Sequence, residues 1–310
     1  MLDNCLFLNR SECFYNSRTK CFISPSGDLI PYEMMISNRQ VFSDGGNELT
    51  DFSKEVGYQL AYREAAEEIF NHGFGKPENY KSAPATKAEL LDASRRRARR
   101  KVFDYCICND FDIFITLTLD SELIERDNYQ VVIKKLNTFL DNRVRRKGLK
   151  YIGVPELHKK GGLHFHFAAT SNAFKLVDSE TVSCEGYKKP MKLSTAKRKG
   201  IPQEKMHTVY NIADWKLGYS TAIFTYGERG AVAHYLSKEL CKDVQKNVCK
   251  ENLIDKIGGR WYYHGGDLKR PVCIYDNKNY KEYDNFSYML NTDGGNFKVY
   301  KFRDNGEILK

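Results

Sequence analysis

The residues best suited to chemistry are gathered in ELHKKGGLHFHF (156–167), where three of the chain's seven histidines fall within nine positions of one another. On an extended strand side chains alternate, so His164 and His166 project from one face while Phe165 and Phe167 project from the other. Two imidazoles about 7 Å apart along one face can share a cation. Glu156 sits on the preceding strand, across a tight turn, and adds a carboxylate. Two nitrogens and one oxygen leave half an octahedral shell open to water and a phosphate oxygen, the arrangement of a catalytic metal rather than a closed structural one. Two competing readings stay open: solvent-facing histidines without a metal, and a set in which His158 replaces one ligand, since Pro155 disturbs the register there.

A second constellation lies in GAVAHYLSKELCK (230–242). On a helix Tyr235, Lys238 and Lys242 share one face at steps of three and seven, while Val232, Leu236 and Leu240 share another. Taken alone, Tyr235 is one of twenty tyrosines, and most tyrosines pack their rings and keep a wet hydroxyl. Together the two constellations say more. A bound metal stabilises charge on a phosphodiester oxygen, and a tyrosine can attack phosphorus and carry the broken strand as a phosphotyrosine. A phenol with an ordinary pKa near 10 is ionised to only about one part in a thousand at neutral pH, a handicap of about 4 kcal/mol. Lys238 and the cation both act to lower it. A covalent link conserves bond energy for resealing, which hydrolysis by water does not.

These side chains need a scaffold, and the pattern supplies one. FDIFITLTLD (111–120) alternates, with Ile113, Ile115, Leu117 and Leu119 on a core face and Phe114, Thr116 and Thr118 opposite. A capping box from Asp127 to Gln130 opens a helix whose Tyr129, Val132, Ile133, Leu136, Phe139 and Leu140 form one stripe. Arg145, Arg146 and Lys147 end it before Gly148. Strands over 151–158 and 163–170 flank the turn KKGG (159–162) as a hairpin. A strand near 219–226 leads to a helix over about 231–244. The spacing also predicts helices over 49–70 and 86–102, the latter ending in RRRARRK (95–101). Residues 175–205 read as an exposed polar loop, and 260–310 as short strands with Asp/Asn/Gly turns. Cys106 and Cys108 read as small hydrophobes in or beside a strand.

Strand, helix, hairpin, strand, helix implies an α+β fold: an antiparallel central sheet with helices packed on it, plus an N-terminal helical extension and a C-terminal short-strand extension. The expected divisions are 1–103, a core at 104–247, and 248–310.

The 310 residues, 41% hydrophobic and 29% charged, exclude collagen-like and wholly disordered classes. There is no run of eighteen apolar residues and no basic start followed by an apolar stretch, so neither membrane spans nor secretion are expected. Lys plus Arg number 49 against 40 acids, a net +9 that favours a polyanionic partner. Nine cysteines without an export signal read as reduced thiols, with Cys5, Cys13 and Cys21, evenly spaced, as a weaker zinc alternative. No phosphate-binding glycine loop is present, which disfavours a nucleotide-driven motor.

FITLTLD, then ELHKKGGLHFHF, then YLSK on a helix resembles the three ordered motifs of HUH rolling-circle replication initiators. GLHFHF, ADWKLGYS around Trp215 and Gly218, and AVAHYLSKEL are most similar to the replication proteins of gokushovirus-type microviruses, small single-stranded-DNA bacteriophages. The resemblance covers roughly 110–245. It implies a ferredoxin- or RRM-like sheet, a metal-dependent nickase and strand transferase with Mg²⁺ or Mn²⁺ on His164, His166 and Glu156, and a Tyr235 nucleophile assisted by Lys238. It also implies single-stranded origin DNA as substrate, a host helicase or polymerase as partner, and the bacterial cytoplasm as location. Lys242 matches a basic residue found further along this helix in the family. Many relatives carry a second tyrosine four residues after the first; Glu239 stands there, implying a one-tyrosine enzyme. Backbone contacts are expected from Arg95, Arg96, Arg97, Arg99, Arg100, Lys159, Lys160 and Lys242, against the alternative of a solvated cationic surface. Three other functions compete: a phosphodiesterase using water, a non-catalytic ssDNA- or RNA-binding module stacking bases on Phe114 and Phe165, and a relaxase, whose usual histidine spacing is missing.

Overall fold

Helix α1, Lys87–Cys108, opens the larger unit of the chain with a complete capping box: the Glu89 amide donates to the Thr86 hydroxyl at 3.3 Å, and the Thr86 amide donates to the Glu89 carboxylate at 2.7 Å. The structure, a computed structural model, describes residues 14–42, 86–157, 163–187, 189–227, 229–240, 260–292, 295–303 and 308–309. The helix expected over 49–70 lies outside the described residues. So do Cys5 and Cys13; Cys21 is a buried thiol.

α1 runs about a turn and a half past the expected end at Val102. Cys106 and Cys108 are therefore helical, correcting the strand reading. Tyr105, Cys106, Ile107 and Cys108 are all buried, and a helix end enclosed on every side loses its period, so the three residues Cys-Ile-Cys imitate alternation.

The unit spans Thr86–Arg270 and is built on an eight-stranded antiparallel sheet. Its strands are β3 (Ile113–Thr118), β4 (Tyr151–Leu157), β5 (Leu163–Ala169), β6 (Leu176–Cys184), β7 (Met191–Lys192), β8 (Met206–Ile212), β9 (Ser220–Phe224) and β10 (Tyr263–Gly265). They lie in the order β10-β4-β5-β3-β9-β8-β6-β7, so the α+β antiparallel expectation holds. β3 is central, and its alternation is as the sequence implies: Ile113, Ile115 and Leu117 are buried and Phe114, Thr116 and Thr118 only partly so. Each such buried side chain contributes about 1.5–3 kcal/mol. Phe165 and Phe167 on β5 face the same buried layer.

Helix α2, Tyr129–Lys147, carries Val132, Leu136 and Leu140 into the core, and Phe139 meets Trp215 edge-on at 5.0 Å. Its cap is Asn128, whose side-chain carbonyl accepts from the Val131 amide, not the Asp127 expected. The two residues compete for one role, and the turn from Glu125 to Asn128 leaves the later one aligned. Gly148 ends the helix in the left-handed conformation, as its position after three basic residues predicts.

Residues 175–205 are not a loop. β6 and β7 with the short helix α3, Leu193–Arg198, extend the sheet, and Val182, Cys184 and Ala196 form their own small core. The polar pattern misleads because β6 is exposed along most of its length.

Gly218 locks the far end of β3. The Asp120 amide donates to the Leu217 carbonyl and the Thr118 amide to the Tyr219 carbonyl, closing the segment 217–219 onto the strand. A Cβ on Gly218 would lie 2.2 Å from the Thr118 carbonyl oxygen, and its φ of +148° is strained for any side chain. Both objections are to backbone, which cannot move aside. Gly218→Ala should cost at least about 2 kcal/mol, read as a lower urea midpoint with unchanged slope.

Helix α4, Arg229–Glu239, packs along α1 and over β4 and β5. Arg229 at its start bonds the Ile107 carbonyl and pairs with Asp110, tying it to the end of α1. His234, read from sequence as polar surface, sets its ring edge-on to Phe103 at 5.1 Å.

The second unit comprises 1–85 with 271–310. Its six-stranded antiparallel sheet uses β1 (Phe14–Ile23), β2 (Leu29–Phe42), β11 (Val272–Asp276), β12 (Tyr288–Thr292), β13 (Gly295–Phe302) and β14 (Ile308–Leu309). Met34, Ile36 and Tyr300 form its core. Lys298 is buried there, donating to the Tyr280 and Tyr283 carbonyls. Among the described residues no helix is long and apolar enough to cross a membrane.

Candidate functional site

The hairpin β4–β5 sets the site by register. Glu156 pairs with His164, and Val154 with His166, so Glu156, His164 and His166 share the face away from Phe165 and Phe167. Within this face Glu156 reaches diagonally to His166: its Oε2 lies 2.6 Å from His166 Nε2. On the other side β3 pairs Thr116 with His166 in the same layer, and Thr116 Oγ1 is 3.1 Å from His166 Nδ1. The imidazole is thus held at both nitrogens and is only 5% exposed.

Phe114, two residues before Thr116, supplies the floor. Its ring lies nearly parallel to that of His166, with centroids 6.0 Å apart, and edge-on to Tyr235 at 5.2 Å. Tyr235 in turn meets the His166 ring edge-on at 5.8 Å. Three aromatic rings in mutual contact fix the phenol over the Glu156–His166 pair. The stacking-module reading of Phe114 and Phe165 loses its basis, because Phe114 is engaged within the site and Phe165 is fully buried.

Tyr235 is 43% exposed, so the ring is braced while one side stays open to solvent. Its pKa is pushed up to about 12, first by partial burial, then by the charges of Glu239 and Glu156, and by the hydrogen bond that its hydroxyl donates to Glu239. The protein alone therefore keeps the phenol protonated; a positive charge among the carboxylates acts in the opposite sense.

Among the described residues, one cluster has the composition of a metal group: Glu156, His166 and Glu239, whose ligand atoms all lie within 4.8 Å of one another. Opposite ligands of a six-coordinate cation with bonds near 2.1 Å stand about 4.2 Å apart, so adjustments of a few tenths of an ångström would suffice. Two carboxylates and one imidazole suit a hard divalent cation such as Mg²⁺ or Mn²⁺. Two carboxylates this close also repel one another unless a cation lies between them. The residues present fit a metal.

Of the residues named from sequence, the structure brings together Glu156, His166 and Tyr235. His164 is partly exposed on the same face and lies outside the 4.8 Å cluster. Lys238 is exposed, one turn on from Tyr235. His158, Lys159, Lys160 and Lys242 fall outside the described residues. In the basic run on α1, Arg95 and Arg96 both pair with Asp92, and Arg97, Arg99 and Arg100 are exposed. Sequence reasoning missed Glu239, Thr116 and Phe114 as site residues. Strand alternation had already put Thr116 and Phe114 on one face, and Glu239 follows Tyr235 by one helical turn, so the signal was positional.

Residues 112–244 match the model of a replication-associated protein family, that of the ORF2 type. The match covers less than half of the chain but includes every member of the site, from Phe114 to Glu239. No curated protein and no solved structure matches the chain. The segment that builds the site is thus similar to replication-associated proteins.

Proposed function

We propose that this chain initiates rolling-circle replication by nicking single-stranded origin DNA and later rejoining it, as the gokushovirus-type microvirus proteins it resembles are expected to do in a bacterial cytoplasm. The observation that carries the reading is the Tyr235 ring, braced on Phe114 and His166 directly over the Glu156–His166 pair. Support also comes from the family match over the same residues.

Glu156 and His166, with His164 beside them, would hold Mg²⁺ or Mn²⁺; when bound, such a cation neutralises charge that builds on the scissile phosphate. The Tyr235 oxygen forms a bond to phosphorus as the bond from phosphorus to the 3′ oxygen breaks. The phenol proton ends on that 3′ oxygen, leaving a 5′-phosphotyrosine and a free 3′-OH for a host polymerase. Bond types are conserved, so the reverse attack reseals the strand. Thr116 holds the His166 ring in orientation through Nδ1. Exposed Lys238, Arg97, Arg99 and Arg100, with Lys159, Lys160 and Lys242, supply cationic contacts to the DNA backbone.

A labelled single-stranded oligonucleotide carrying the phage origin, incubated with the protein and Mn²⁺ and run on a denaturing gel, tests this. A shifted covalent band is expected. Cleavage without an adduct indicates attack by water instead, and binding without cleavage indicates a non-catalytic module.

A further inference from the structure

Glu239 ends α4, four residues after Tyr235, and is 1% exposed. Nothing in the family pattern read from the sequence assigns it a task. A carboxylate this enclosed is costly unless its charge is compensated. Around it are a second carboxylate and an imidazole within 4.8 Å, and the Tyr235 hydroxyl that donates to it.

We propose that Glu239 is a shared carboxylate: it completes the divalent-cation donor set with Glu156 and His166 while accepting the hydrogen bond of the Tyr235 hydroxyl. A carboxylate has two oxygens and about four acceptor sites, enough for both duties. The ligand role stands on the cluster alone; the hydroxyl-holding role rests on Tyr235 being the nucleophile proposed above. The helix makes the arrangement rigid, because residues four apart lie on one face a single turn from each other. α4 therefore delivers nucleophile and ligand as one piece, and a cation that draws in Glu239 also fixes where the phenol sits.

The test uses the full chain and Mn²⁺ alone, with free Mn²⁺ followed by electron paramagnetic resonance. Glu239→Gln should weaken Mn²⁺ binding by about 10- to 100-fold, and Tyr235→Phe should leave it unchanged. Without metal, Glu239→Gln should unfold at or above the wild-type temperature, since one of two neighbouring buried charges is gone. Added Mn²⁺ should raise the wild-type midpoint much more than the variant's. If Glu239→Gln does not fold, Glu239→Asp, which keeps the charge but is one methylene shorter, should still weaken Mn²⁺ binding. Unchanged affinity in a folded variant overturns the ligand role.

At saturating Mn²⁺, Glu239→Gln, which still accepts a hydrogen bond, should form DNA adduct faster than Glu239→Ala; equal rates overturn the hydroxyl-holding role. A wild-type chain that binds Mn²⁺ through Glu239 yet forms no adduct overturns the nickase reading and leaves the ligand role intact. A wild-type chain that forms adduct while Glu239→Gln keeps full Mn²⁺ affinity does the reverse.

Discussion

Tyr235→Phe should abolish the covalent protein–DNA product and leave the fold in place. Removing the nucleophile of a covalent mechanism costs on the order of 10⁴- to 10⁶-fold in rate, and phenylalanine has no oxygen to offer phosphorus. The ring contacts with Phe114 and His166 belong to the aromatic carbons and survive the change. Only the hydroxyl's bond to Glu239 disappears, worth about 1 kcal/mol. The gel and a urea titration of the same preparation read the two halves of this expectation. Adduct persisting in the variant would show that another residue carries the strand.

His166→Ala should be nearly as damaging, and more so than His164→Ala. His166 is the centre of the cluster: Glu156 on one nitrogen, Thr116 on the other, Phe114 and Tyr235 against the ring. Its loss removes a ligand, takes the imidazole away from the Glu156 carboxylate and unseats the phenol, so a fall in adduct rate on the order of 10³-fold is expected. Mn²⁺ affinity should fall with it. His164 shares the face but not the 4.8 Å cluster, and its truncation should cost about 10- to 100-fold. The rate ratio of the two variants, measured at one Mn²⁺ concentration, checks the ranking. Equal losses would mean that both imidazoles ligate on an equal footing.

What the sequence disclosed and what it hid depend on where each element gets its order. The β4–β5 hairpin and β3 were legible because each has one buried face and one site face, which forces a period of two. α2 was legible because its stripe faces a single core, although its cap moved from Asp127 to Asn128 where side chains of similar ability compete. The end of α1 was hidden by its complete enclosure. β6 was hidden by the opposite condition, exposure without a hydrophobic face. Glu239 reads as one more charge on a surface helix until Glu156 and His166 are placed beside it, and only tertiary packing does that. The position where many relatives carry a second tyrosine is thus filled by an acid in the floor of the same site.

The smaller sheet joins strands from opposite ends of the chain: Ser37 on β2 pairs with Phe297 on β13, and Thr19 on β1 with Ile274 on β11. During synthesis the early hairpin must therefore wait, its outer rows of amides and carbonyls unmatched, until the whole intervening segment has left the ribosome. Residues 86–270 have no such delay, since every strand of their sheet has been translated before β11 appears. Vectorial folding then runs from the middle outward. A late truncation should spare the inner sheet and strand β1 and β2 without partners, exposing a sticky edge of the kind that chaperones hold or that seeds aggregation.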